Sequence, residues 1–94
     1  MRKSKSEFHQ VFGLKLRFLR ESFEMTQQQV ADILHLHRST YAYYELGISE
    51  PSLATLRNLA ILFGISLDDL LDINTHRNKK LSQRMRRQGA YFDF

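Results

Sequence analysis

Helix start and stop signals recur along this chain at intervals that leave room only for short helices, and that spacing constrains the fold more than any other feature. Thr26-Gln27-Gln28-Gln29 is a Thr-x-x-Gln capping box, in which a hydroxyl and an amide satisfy backbone N–H groups that a helix start would leave unpaired. Gly47 and Gly64 lack the Cβ that disfavours the left-handed conformation at a helix end. Pro51 bars continuation of an earlier helix, and Ser52 can cap the next one. Ser66-Leu67-Asp68-Asp69 has the pattern of a second capping box.

Between these signals apolar residues recur every three or four positions. The expected helices run from about Glu7 to Ser22, Gln27 to Leu34, Arg38 to Leu46, Leu53 to Phe63, and Leu67 to Leu71 or Asp72. Their core stripes are Phe8, Phe12, Leu16, Leu19 and Phe23 in the first helix; Val30, Ala31, Ile33 and Leu34 in the second; and Leu53, Leu56, Leu59, Ala60 and Phe63 in the fourth. No stretch alternates with period two, so the fold class is all-α with five helices. Residues 1–6 form a basic arm, 7–73 the helical domain, and 74–94 a basic extension. In that extension Leu81 and Met85 are spaced for a weak amphipathic helix, and the chain ends on the aromatic tail Tyr91-Phe92-Asp93-Phe94.

A chain of 94 residues, 43% hydrophobic and 26% charged, has room for one soluble domain plus tails and none for a multi-domain enzyme. The absence of Cys excludes disulfides, Cys-ligated zinc and a thiol nucleophile, so packing alone must hold the domain. The basic start is succeeded by Glu7, His9 and Gln10 where an export signal would be apolar. The apolar run Leu59 to Ile65 falls far short of the roughly 20 residues of a membrane span. A cytoplasmic location is expected.

The net charge of +4 points to a polyanionic partner. It is unevenly spread: residues 1–23 carry +4, 24–50 carry −3, 51–74 carry −2 and 75–94 carry +5. Phosphate neutralisation is therefore expected from the ends more than from the middle.

Two short helices joined by a tight turn, Gln27 to Leu34 and Arg38 to Leu46, have the layout of a helix-turn-helix. Thr26-Gln27 at the first start, Ala31 inside, Arg38-Ser39-Thr40 at the second start, Glu45-x-Gly47 and Pro51-Ser52-Leu53 together resemble the Cro/phage-repressor-like, XRE-type helix-turn-helix family. The resemblance runs from about Phe12 to Ile73. It implies a lambda repressor-like fold and a sequence-specific transcriptional regulator of double-stranded DNA, a repressor acting by occupying its operator. It also implies a homodimer whose contacts come from the fifth helix or from the segment C-terminal to it. Leu67, Leu70, Leu71, Ile73 and the tail Tyr91 to Phe94 are the candidates.

On a helical wheel Arg38, Ala42, Ser39 and Tyr43 fall within about 140° of arc, with Tyr41 and Tyr44 opposite. Those two tyrosines are expected in the core with their hydroxyls at its rim. Arg38 can grip guanine O6 and N7, Ser39 can serve several bases, and Tyr43 can reach a base, a thymine methyl or a phosphate. The family places base-reading residues at these same positions. Gln27 matches a position the family uses to hold a phosphate at a helix N-terminus. His37, Ser49, Ser52, Arg2, Lys3 and Lys5 are further phosphate candidates, and the basic residues of the C-terminal extension can act likewise. Arg20 and Glu45 match a pair that in some members forms a buried ion pair bracing the first helix against the third.

This sequence departs from the family pattern at two points. His35 occupies a turn position usually held by Gly, and His37 replaces a Ser or Thr N-cap. His35-x-His37 lacks the further ligands a metal site needs, and no metal or cofactor is expected. The alternative to a simple repressor is an antitoxin-like module whose C-terminal tail folds onto a protein partner. An enzyme is not expected, because the four Gly form no phosphate loop and no Ser/His/Asp set has a telling spacing.

Overall fold

The computed structural model describes residues 7–72, and these form five helices: α1 (Glu7–Ser22), α2 (Gln27–Leu34), α3 (Arg38–Leu46), α4 (Leu53–Phe63) and α5 (Leu67–Leu71). The boundaries are those that the punctuation predicts. The expectations for the N-terminal arm, Ile73 and the 74–94 extension lie outside the described residues.

The Thr26 capping box is built as expected, while Ser66 caps α5 through its hydroxyl alone, without the return bond of a full box. The Thr26 hydroxyl accepts from the Gln29 backbone N–H (3.0 Å), and the Gln29 side-chain Oε1 accepts from the Thr26 backbone N–H (2.8 Å). Ser52 accepts from the Thr55 N–H (3.1 Å), and Ser66 from the Asp69 N–H (2.9 Å). Four helix ends use one device, a left-handed residue whose successor donates to the carbonyl five residues back. Gly47 and Gly64 supply it for α3 and α4, as expected. Glu24 and His35 supply it after α1 and α2, at φ of 57° and 59°. His35 is legible in the sequence as a Gly substitute, whereas Glu24 is not.

The core is Phe12, Leu16, Phe18, Leu19, Val30, Ala31, Tyr41, Tyr44, Leu59, Ala60, Phe63 and Leu70. Leu70 is wholly buried inside the domain and so is not available as the dimer contact expected of it, and Leu67 and Leu71 are half-buried against the same core. This core corrects the expected stripes at their ends. Phe8 and Phe23 lie at the rim, Phe8 stacked on Phe12 (6.0 Å between ring centroids) and Phe23 tilted against Phe63 (5.5 Å). Ile33 and Leu53 are exposed, because α2 and α4 each turn only part of their apolar surface inward.

Lys15 is the polar residue that the stripe misses. It sits beside Leu16 and Leu19 on the inner face of α1 and is wholly buried. Its ammonium donates to the carbonyls of Asp69 and Asp72 (2.6 Å to Asp72), capping the C-terminal end of α5 where helix carbonyls lack partners. Burial brings the ammonium down to about 8 against the opposing pull of Asp72 and Asp69.

α1 and α3 cross at backbone distance. A Cβ on Gly13 would lie 2.2 Å from the Glu45 carbonyl oxygen, so only glycine lets the helices approach this closely. That crossing fixes the orientation of α3 relative to the rest of the domain.

Candidate nucleic-acid interface

The side of α3 that faces α1 and the start of α2 carries a chain of polar contacts. Arg20 on α1 donates through Nε to Glu45 Oε2 (2.7 Å) and through Nη2 to Glu45 Oε1 (3.2 Å). A third Arg20 donor reaches the Met25 carbonyl (2.9 Å) in the turn between α1 and α2. Gln27, the first residue of α2, donates to Glu45 Oε1 (3.0 Å), and its own carbonyl oxygen accepts from Arg38 Nη1 (3.0 Å). Arg20, Glu45, Gln27 and Arg38 thus form one line from the interior to the surface.

The Glu45 side chain is 4% exposed. Burial alone would push its carboxyl up, but Arg20, the Tyr41 hydroxyl and the Gln27 amide together outweigh burial and hold it below the ordinary carboxylate value. Arg20 is raised above its already high value by the bond to Glu45, so both partners are ionised. Such a pair orients what it touches, and removing either partner leaves the other's buried charge without its main counterpart.

The outer face of α3 carries the residues the wheel places there. Arg38, Ser39 and Tyr43 are exposed and Ala42 is half-buried, while Tyr41 and Tyr44 turn inward with their rings edge-on at 6.3 Å. The Tyr41 hydroxyl does not reach the rim as expected. It is buried facing the Glu45 carboxylate, and burial together with that negative charge pushes the phenol well above its ordinary value. His37 is exposed and makes no side-chain cap bond, so α3 starts uncapped by any side chain.

The loop between α3 and α4 exposes Ser49 and Ser52, but the Ser52 hydroxyl is engaged with Thr55. His9 on α1 steadies this loop by meeting Glu50 at 3.5 Å. Arg2, Lys3 and Lys5 lie outside the described residues. A cleft between α1 and α3 is lined by the polar Gln10, Arg17, Gln27 and Arg38 and by the apolar Leu14, Ala42 and Leu46. Leu46 and Arg17 do not stand out in the sequence. Leu46 falls inside the outward arc, but its position at the end of the helix disguises it.

Comparison with known proteins gives this arrangement its class. Residues 16–70 match the profile of the helix-turn-helix family, and the chain belongs to it. It is a DNA-binding transcriptional regulator of the Cro/phage-repressor-like, XRE-type group. Among similar curated proteins is the SPbeta prophage-derived uncharacterized HTH-type transcriptional regulator YonR of Bacillus subtilis (strain 168). The two are 40% identical over 73 residues, covering 78% of this chain and 67% of the relative. The cryptic phage CTXphi transcriptional repressor RstR of Vibrio cholerae is 32% identical over 77 residues, covering 81% and 69%. The HTH-type transcriptional regulator AnsR of Bacillus subtilis (strain 168) is 44% identical over 57 residues, covering 61% and 49%. This chain thus spans about two thirds of the first two relatives and half of the third. Among the described residues no helix is long and apolar enough to cross a membrane.

Proposed function

We propose that this protein represses transcription by occupying an operator as a homodimer, with the outer face of α3 in the major groove. The observation that carries the reading is the line Arg20–Glu45–Gln27–Arg38, which holds an exposed guanidinium at the first turn of α3 from behind. A guanidinium already ordered loses less rotamer freedom on contact, and its paired N–H groups match guanine O6 and N7. Ser39 and Tyr43 present a hydroxyl and an aromatic ring to neighbouring base edges, and Ala42 lets the helix backbone come close.

Gln27 opens α2, where unpaired N–H groups and the positive end of the helix dipole favour a phosphate. Its side chain connects that phosphate site to Arg38, so backbone docking and base reading are coupled through one amide. Ser49 and His37 add phosphate contacts, Ser52 being held as the cap of α4, and Arg2, Lys3 and Lys5 supply the charge that the acidic middle of the chain lacks. One short helix reads too few base pairs for a genome, so two copies on half-sites about 34 Å apart supply the remaining specificity. The relative named a phage transcriptional repressor supports the direction of regulation.

The test is selection of bound duplexes from a random pool at about 150 mM salt, where exposed charges are screened beyond about 8 Å. The expected outcome is an inverted repeat with half-sites one helical turn apart, which then silences a reporter when placed over its promoter. A single half-site, or no enrichment, contradicts the dimeric operator reading, and a stimulated reporter contradicts repression.

A further inference from the structure

Leu46 is the last side chain of α3, and it is 57% exposed. On the helical wheel it lies about 20° from Ser39, about 40° from Ala42 and about 60° from Tyr43, in the middle of the outward arc rather than at its edge. The chain turns away at Gly47, so nothing later in α3 covers it. It lines the α1–α3 cleft together with Leu14 and Ala42 and with the polar Gln10, Arg17 and Arg38. The outward surface of α3 thus carries Arg38 and Ser39 in its first turn and the apolar Leu46 beside Tyr43 in its last.

Base edges in the major groove include one apolar group, the C5 methyl of thymine. We infer that Leu46 is a specificity determinant, its side chain packing on a thymine methyl that lies beyond the base pairs read by Arg38 and Ser39. The inference rests on α3 entering the major groove. It extends the reading face toward the end of the helix, since the eight steps from Arg38 to Leu46 advance about 12 Å at roughly 1.5 Å each. The Leu46 isobutyl group offers no hydrogen bond, so it discriminates thymine from cytosine by the methyl alone.

Operators are selected in parallel with the wild-type protein and with Leu46→Ala from one randomised pool. Each thymine of the wild-type half-site is then replaced singly by uracil, which removes only the methyl. At one position the wild-type protein loses about fourfold in affinity, which corresponds to about 0.8 kcal/mol for one buried carbon at 1.4 kcal/mol per tenfold. Leu46→Ala binds the thymine and uracil duplexes equally there, and its selected sequence is degenerate at that position alone. Leu46→Met retains the preference. Both variants melt with the wild type, because the side chain is exposed.

The inference is overturned if Leu46→Ala selects the wild-type sequence unchanged, or if every thymine-to-uracil loss persists in the variant. It is also overturned if the variant keeps its base preferences but sediments differently, which would place Leu46 against a second copy of the chain. Absence of any enrichment with the wild-type protein contradicts the operator reading itself, and is distinguished from these outcomes by that control.

Discussion

The two faces of α3 are made from the same nine residues and answer to different physics. On the inner face Tyr41, Tyr44 and Glu45 are buried, and each has its place fixed by a neighbour: the two rings by each other, Glu45 by Arg20 and Gln27. On the outer face Ser39, Tyr43 and Leu46 have solvent in front of them. Only Arg38 belongs to both, exposed yet tied through Gln27 to the buried pair. The inner face therefore sets where α3 points, and the outer face is free to vary in what it contacts. Substitutions inside should change stability without changing preference among DNA sequences, and substitutions outside should do the reverse.

The largest expected break on the inner side is Glu45→Ala, which removes the bidentate partner of the Arg20 guanidinium and leaves it the Met25 carbonyl and the more distant Glu21. It should cost about 3–5 kcal/mol of unfolding free energy in a denaturant melt. The same pair sets an acid limit. The folded carboxyl titrates below its ordinary value of 4.5, so its contribution is complete above that pH and is lost as pH falls through the lower folded value. Glu45→Gln should flatten that part of the stability profile.

Gly13→Ala comes next, because the added methyl meets the Glu45 carbonyl and forces α1 from α3. A loss of about 1–3 kcal/mol is expected, together with weakened binding to every DNA sequence through displaced α3. Smaller again, Tyr41→Phe removes a buried hydroxyl that faces the Glu45 carboxylate and should destabilise by up to about 1 kcal/mol. At the smallest end, Glu24→Gly and His35→Gly relieve left-handed backbone and should each gain about 0.5 kcal/mol. The larger gain is expected at Glu24, since His tolerates that region better than Glu does. Thermal melts of the set rank these effects.

The helix boundaries, the outward Arg38–Ser39–Tyr43 face and the left-handed His35 are legible in the sequence, because caps, glycines and period 3.6 are local signals. What stays concealed depends on contacts between distant segments. Lys15 occupies a core position by spacing, but nothing near it in the chain announces that α5 will bring Asp69 and Asp72 carbonyls to its ammonium. Gly13 reads as an ordinary helix residue until α3 lies against it. The Arg20–Glu45 pairing is implied by family resemblance rather than by spacing, and the addition of Gln27 and Arg38 to that pair emerges only once α2 and α3 are packed. Leu46 is visible on the wheel yet easily overlooked, because a terminal leucine is ordinarily assigned to the core.

The central claim is that the outer face of α3 reads base identity while the inner face holds it in place. It is tested most directly by measuring Arg38→Ala on the selected operator, on each single-base variant of that operator and on unrelated DNA, alongside its melting temperature. The account predicts an unchanged melt, a loss of about 1–3 kcal/mol on the operator and relaxed preference at one base pair. A loss that is equal on every sequence would make Arg38 a phosphate contact and contradict the assignment of base reading to this face.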